Sequence, residues 1–307
     1  MSRTEKIKKI NILVEVITST IFYYKEGFVK KRKVLLAIIA LLIVTATTCG
    51  YYFLLDYNAA QEEISVYTHI QAKYSSTTNI PIHEADGDDS AQDLEEIPEA
   101  HLLYVEVDYE ALLLMNSDTV GWIAVPDTVI NYPVVQATNN TKYLDISFEG
   151  KRSGTGTPFA DYRNDMENLD ANIIIYAHNM GAGRSDMFGT LLMYKEHEHY
   201  ATHRYIQFDT IYQRLGWWKV VAVIELDTRN TDFQYQHIYF QDEAEFMDWV
   251  AKVMMLSIHD TDMSISPNDN ILILSTCDRS KYGRYGRFLI LAVRTSGHFV
   301  PKLEQAQ

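Results

Sequence analysis

Between Val34 and Leu55 the chain runs for twenty-two residues without a charged side chain, led by the apolar block from Val34 to Val44. As a helix this run would be about 33 Å long, close to the hydrocarbon thickness of a bilayer. A buried core helix is usually shorter and carries polar residues on one face. A cleaved leader would end in a small-residue cleavage site, whereas Cys49-Gly50 is followed by Tyr51-Tyr52-Phe53, aromatics suited to a membrane interface. Residues 34–55 therefore read as an uncleaved transmembrane signal-anchor.

The charge distribution orients this anchor. The chain has a formal net charge of −14, but residues 1–33 hold nine Lys or Arg against three Glu, a surplus of +6 that leaves −20 for the remainder. Lys30-Lys31-Arg32-Lys33 sits against the start of the apolar run, so the block is read as a cytoplasmic flank, not as a nucleic-acid-binding patch. The expected layout is a basic cytoplasmic segment (1–33), the membrane helix (34–55), an acidic extracellular tether that is partly helical (56–101) and a globular domain (102–307). Apolar residues at near-helical spacing over 7–24 fit a short amphipathic helix on the inner leaflet, and equally a disordered tail. Residues 56–100 hold eleven acidic side chains and one lysine. Within them Ser75 to Glu99 reads as a solvated linker.

The globular part reads as mainly β. Asp108 to Asn116 is a short helix with Asp108 as its N-cap. Apolar runs bounded by turn residues follow at 122–125, 130–135, 172–177, 205–211, 217–226, 270–277 and 288–293, the pattern of a closed or nearly closed sheet. Helical patterns interrupt them at about 185–200 and 242–256.

Two cysteines bound the chemistry. Cys49 lies in the expected membrane span, so Cys277 has no intramolecular disulfide partner outside the cell. It is either a packed small hydrophobe or a thiol kept for reactivity. Its position, ending Ile271-Leu272-Ile273-Leu274-Ser275-Thr276 and preceding a polar loop, puts it at a strand mouth. If the next strand, opening at Gly286-Arg287, forms a hairpin with it, Arg287 lies at the same end of the sheet. Arg287 then reads as a catalytic guanidinium or as a salt-bridged edge residue; Arg284 and Arg294 are its competitors. A thiol needs a base, and His178 ends the buried-looking strand 172–177 before a flexible loop. The His197–His203 cluster lacks the Glu of a metalloprotease helix. With no phosphate-binding glycine loop, CxxC pair or Gly-x-Ser-x-Gly elbow, no cofactor and no metal are expected.

Together these segments resemble class B sortases, the membrane-anchored cysteine transpeptidases of Gram-positive surfaces. The resemblance is carried by Leu274-Ser275-Thr276-Cys277 with the Arg that opens the next strand. It extends through Asn172 to Met180 with Met187-Phe188-Gly189, Val120-Gly121-Trp122-Ile123, Tyr132 to Gln136, and Asp161-Tyr162-Arg163-Asn164. It spans about residues 102–300, with Ala177 standing where the family usually has Gly. It implies a closed sortase-like β-barrel with peripheral helices, preceded by a single transmembrane helix. It implies Cys277 as nucleophile, His178 as general acid/base and Arg287 as oxyanion or substrate stabiliser. Ser275, Tyr176, Asn140 and Leu144 are implied as substrate contacts. The implied reaction cleaves a C-terminal sorting signal of a surface protein after Thr and passes the thioacyl group to a peptidoglycan-precursor or pilin amine. Against it stand a membrane-tethered cysteine peptidase with water as acceptor and a non-catalytic surface-binding module.

Overall fold

The computed structural model describes residues 3–79, 103–181, 184–261 and 263–295. Most of the expected acidic linker, residues 80–101, lies outside the described residues, as does the end of the chain from 296 to 307. The chain divides into two compact units, residues 1–61 and 62–307. The first belongs to helix α1 (Arg3–Tyr74), a single 72-residue helix. Within α1, Lys31–Tyr74 contains a stretch long and apolar enough to cross a membrane, with none of that stretch buried. The side chains of residues 14–22 are also exposed on this helix.

The second unit is a closed eight-stranded barrel, as the sequence leads one to expect. Its strands are β3 (Thr119–Ala124), β4 (Asn131–Val135), β5 (Phe159–Ala160), β6 (Asn172–Tyr176), β7 (Tyr205–Thr210), β8 (Trp217–Asp227), β9 (Ile271–Cys277) and β10 (Gly286–Arg294). They follow one another in space as β10, β8, β7, β3, β4, β5, β6, β9, and β9 pairs with β10 to close the ring. A separate ribbon pairs β1 (Ser75–Asn79) with β2 (Leu103–Val107). The Gln207 side chain ties this ribbon to the barrel by bonding both the amide and the carbonyl of Val105, each at 2.8 Å.

The long apolar runs of β6, β9 and β10 are explained by burial on both faces. Ile173, Ile175, Leu272, Leu274, Phe288 and Ile290 point into the inner core. The alternate residues Ile174, Ile271, Ile273, Leu289, Leu291 and Val293 form an outer cluster with Phe246, Trp249, Val250 and Val253 of helix α4 (Glu243–Leu256). Those four helix residues recur at helical spacing, and the Asp242 side chain caps the helix by accepting from the Glu245 amide at 2.9 Å. Helix α2 (Tyr109–Met115) is capped in the same way, Asp108 accepting from the Ala111 amide at 3.0 Å.

Two segments differ from the sequence reading. Residues 62–79, expected in the tether, belong to the barrel unit: Tyr67 and Ile70 are buried in its core, and Ser75–Asn79 forms a strand because β2 supplies backbone partners that its polar side chains do not advertise. The helical pattern at 185–200 is split into a 3-10 turn, Gly189–Lys195, and a short helix α3 (His197–Thr202), because Glu196 between them is extended.

Candidate active site

The side-chain alternation that builds the outer cluster also assembles the site. On β9, Ser275 and Cys277 share the face of Ile271 and Ile273; on β10, Arg287 shares the face of Leu289 and Leu291. Beyond the part of this outer face covered by α4, the aliphatic residues give way to Cys277, Ser275 and Arg287. Cys277 and Arg287 are direct cross-strand partners in the antiparallel β9–β10 pair, so the hairpin inferred from sequence is present. The Arg287 guanidinium donates to its own strand's edge through the Gly286 carbonyl at 2.9 Å and the Arg284 carbonyl at 3.3 Å.

Gly286 is a position where only glycine fits. A Cβ there would lie 1.8 Å from the Asp278 carbonyl oxygen, because the strands converge where Asp278 N donates to Gly286 O at 3.2 Å. Asp278, the residue after Cys277, is buried and caps helix α5 (Arg279–Tyr282) by accepting from the Ser280 amide at 2.9 Å. It is paired with Lys195 at 2.6 Å, which also meets Glu225 at 2.5 Å. Burial would raise the Asp278 carboxyl, but Lys195 and the Ser280 donors hold it below its ordinary value.

His178 arrives from the other side. β6 and β9 are parallel neighbours with Tyr176 opposite Ser275, and the pairing continues beyond the strand: Ala177 N donates to Ser275 O at 3.3 Å, and the Asn179 side-chain amide donates to Cys277 O at 2.9 Å. Carried two residues on, that register sets His178 level with Cys277. The His178 ring bonds the Leu144 carbonyl through Nε2 at 2.8 Å. A carbonyl only accepts, so Nε2 carries the proton and Nδ1 is the basic nitrogen. The methyl of Ala177 is buried in the inner core, on the opposite face of the strand.

The remaining sequence-derived residues divide. Ser275 is buried, with its hydroxyl 3.4 Å from the Tyr235 hydroxyl. Tyr176 and Asn140 converge on Asp161, each at 2.9 Å, and the Asn140 side-chain Oδ1 accepts from Tyr162 N at 2.9 Å. Leu144 contributes its carbonyl to His178 and leaves a partly exposed side chain. Of the competing arginines, Arg284 stacks on Tyr285 at 4.8 Å, and Arg294 sits at the far end of β10 opposite Trp218.

Two further residues, not named as site residues from the sequence, belong to the site. Tyr235, from the irregular stretch between β8 and α4, is buried beside Ser275 with Arg287 and Cys277 near its hydroxyl. Burial pushes its phenol up, partly offset by Ser275 and the Arg287 charge. Asp161 is fully buried and gathers Tyr176, Asn140 and the Arg163 guanidinium, whose Nε lies 2.8 Å from Oδ1 and Nη2 2.9 Å from Oδ2. Here too burial would raise the carboxyl, and the Arg163, Tyr176 and Asn140 donors bring it below its ordinary value. In the histidine cluster, His199 and His203 stack at 3.8 Å, and His203 Nδ1 bonds the His199 carbonyl. Among the described residues no group of three or more His, Cys, Asp or Glu is placed to hold a metal ion.

A thiol, an imidazole and a guanidinium at one strand mouth form an arrangement suited to acyl transfer through a thioester. No protein-family model matches the chain. Over 179 residues it is 34% identical to Sortase B of Listeria monocytogenes, covering 57% of this chain and 69% of that protein. Over 192 residues it is 30% identical to Sortase B of Staphylococcus aureus, covering 62% and 76%. Among solved structures, a Staphylococcus aureus sortase B–substrate complex superimposes with a TM-score of 0.55 at 30% identity, covering 60% of this chain and 83% of that one. A sortase B structure complexed with triglycine gives the same TM-score and identity, covering 60% and 84%.

Proposed function

The chain belongs to the sortase B family of cysteine transpeptidases, and from that premise we propose that it cleaves the C-terminal sorting signal of a surface protein after Thr and joins the new carboxyl to a cell-wall or pilin amine. The observation that carries this reading is the pairing of Cys277 with Arg287 across one hairpin, with the His178 segment bonded to the Cys277 carbonyl.

His178 Nδ1 takes the proton of the Cys277 thiol, and the thiolate attacks the scissile carbonyl, forming an S–C bond as the C=O π pair moves onto oxygen, where the Arg287 guanidinium meets the oxyanion. His178 protonates the departing amine as the C–N bond breaks, leaving a thioacyl enzyme. An incoming amine then loses its proton to His178, forms the new C–N bond and releases Cys277. With Nε2–H bound to the Leu144 carbonyl, these proton transfers fall to Nδ1. Ser275, Tyr176, Asn140 and Leu144 line the approach and contact the sorting signal. The substrate and triglycine complexes of sortase B support a peptide donor and an amine acceptor for this chain.

Residues 34–55 hold the enzyme in the membrane by a single pass, with the basic residues cytoplasmic and the barrel outside. Supporting this, Lys31–Tyr74 holds an exposed stretch long and apolar enough to cross a membrane, and Lys30 to Lys33 lie against its start. Incubating the full chain in detergent with a library of Asn-Pro-x-Thr-type peptides and triglycine should yield peptide–triglycine product that Cys277→Ala abolishes. Product made without an amine would point to hydrolysis instead, and turnover that survives Cys277→Ala would sink the proposal. Labelling of Cys277 on intact cells by a membrane-impermeant thiol reagent tests the orientation.

A further inference from the structure

Residues 153–157 form a turn, and each of its five residues is held by helix α1. Glu63 accepts from the Ser153 hydroxyl at 2.9 Å, the Gly154 amide at 2.6 Å and the Thr155 hydroxyl. One helical turn later, on the same face, Tyr67 donates to the Gly156 carbonyl, and its hydroxyl lies 3.1 Å from that of Thr157. Burial alone would raise the Glu63 carboxyl, but these donors and the charge of Arg184 lower it, so it is ionised at neutral pH and its hydrogen bonds are of the stronger, charge-assisted kind.

The other side of the turn grips the strip that faces His178. Thr157 N donates to Tyr143 O at 3.0 Å, and Ser153 N donates to Asp145 O at 2.9 Å. The carbonyl between those two, that of Leu144, is the one bonded to His178 Nε2. Gly156 permits the fit: its φ is +64°, and a Cβ there would lie 2.4 Å from Tyr143 O and 2.8 Å from Leu144 O. A second route reaches the same histidine. Glu63 lies 3.8 Å from Arg184, which is paired with Asp186 at 2.5 Å. Two residues further on, Phe188 N donates to the His178 carbonyl at 2.9 Å.

We propose that Glu63, seconded by Tyr67, is a positioning residue for the transfer reaction: it holds the 153–157 turn so that the Leu144 carbonyl fixes the tautomer and orientation of His178. The inference rests on the reading of His178 as the general acid/base. It makes the packing of residues 62–74, the part of α1 that belongs to the barrel unit, a part of the catalytic apparatus, although Glu63 touches neither the thiol nor the substrate.

The test uses the full chain in detergent carrying Cys49→Ser, which leaves Cys277 as the one thiol. Glu63→Ala, Glu63→Gln, Glu63→Asp and His178→Ala are compared by kcat and KM for transfer of an Asn-Pro-x-Thr-type peptide to triglycine. The pH profile of Cys277 reaction with a methanethiosulfonate reagent is measured alongside. Loss of the clamp is expected to lower kcat about ten- to a hundredfold in Glu63→Ala and Glu63→Gln, to leave KM for the peptide unchanged and to displace the thiol pH profile, with Glu63→Asp recovering most of the loss. If Glu63→Ala does not fold, as judged by tryptophan fluorescence melting, the near-isosteric Glu63→Gln and Thr155→Ala decide by the same readouts. Parental kcat and pH profile in these variants, beside a His178→Ala enzyme that is inactive, would overturn the positioning role. Transfer that survives His178→Ala would overturn the acid/base reading itself, and the proposal with it.

Discussion

Arg287 stands directly across from Cys277, strand to strand, at the mouth of the β9–β10 hairpin. Backbone pairing fixes the position of Arg287 relative to Cys277, and under the proposed mechanism its guanidinium stabilises the developing oxyanion. Arg287→Ala is expected to lower kcat for peptide transfer about 10²- to 10³-fold, the usual loss for one oxyanion donor. Arg287→Lys should recover only part of this, since an ammonium lacks the planar fork. Steady-state kinetics on the two variants decide it; wild-type turnover in Arg287→Ala would remove Arg287 from the mechanism.

The pairing depends on Gly286. With the Asp278 carbonyl 1.8 Å from where a Cβ would stand, Gly286→Ala must push backbone against backbone. We expect a stability loss of about 1–3 kcal/mol, as for other overpacked sites, together with loss of transfer activity as Arg287 leaves its register. Thermal melting read beside activity checks both; an active, undiminished Gly286→Ala enzyme would show that the hairpin mouth tolerates rearrangement.

Lys195 pairs with two carboxylates at once, Asp278 and Glu225, just behind the nucleophile. Lys195→Met removes the ammonium, which also sits 5.5 Å over the Phe288 ring, and leaves Asp278 buried with only its Ser280 donors. The expected cost is about 1–3 kcal/mol at neutral pH, the range for a charged group losing its partner. Denaturant titration is the measurement. A cost no larger than about 0.5 kcal/mol, as for an ordinary surface substitution, would mean that solvent already screens the pair.

Acid should weaken the same framework in a definite direction. Asp161 and Asp278 both have carboxyls lowered in the folded chain, so their stabilisation is full above the unfolded carboxylate pKa of about 3.9 and is lost as pH falls through the folded values below it. Asp161→Asn, which takes the ionic partner from a third-exposed Arg163 guanidinium, is expected to cost about 1–3 kcal/mol at pH 7. The gap from the parent should shrink below about pH 4. Melting curves at pH 7 and pH 3 test the sign; a gap that widens in acid would contradict it.

What the sequence made legible is what local rules encode. The cap of Asp108 and the helical spacing of Phe246, Trp249, Val250 and Val253 mark helices, and the continuous apolar runs of β6, β9 and β10 mark strands. The thiol at the end of one strand and the arginine at the start of the next needed only the assumption of a hairpin. β5, two residues long, is too short to show any period. Tyr235 lies in an irregular segment, and its place beside Ser275 is set by the fold around α4. Glu63 and Tyr67 read as polar and aromatic residues of a tether, because their partners lie about ninety positions away. Ser75–Asn79 has a linker's composition and becomes a strand only because a partner is present.

The parallel pairing of β6 with β9 has a consequence for how such an enzyme can diversify. His178 and Cys277 follow two hydrogen-bonded neighbours in fixed register, so their mutual placement is independent of the length of chain that joins them. The stretch leading from β8 into α4 acts in a different way: Phe233, Tyr235 and Ile238 pack into the outer cluster, so it shapes the wall beside Ser275 and does not set the spacing of the two reacting groups.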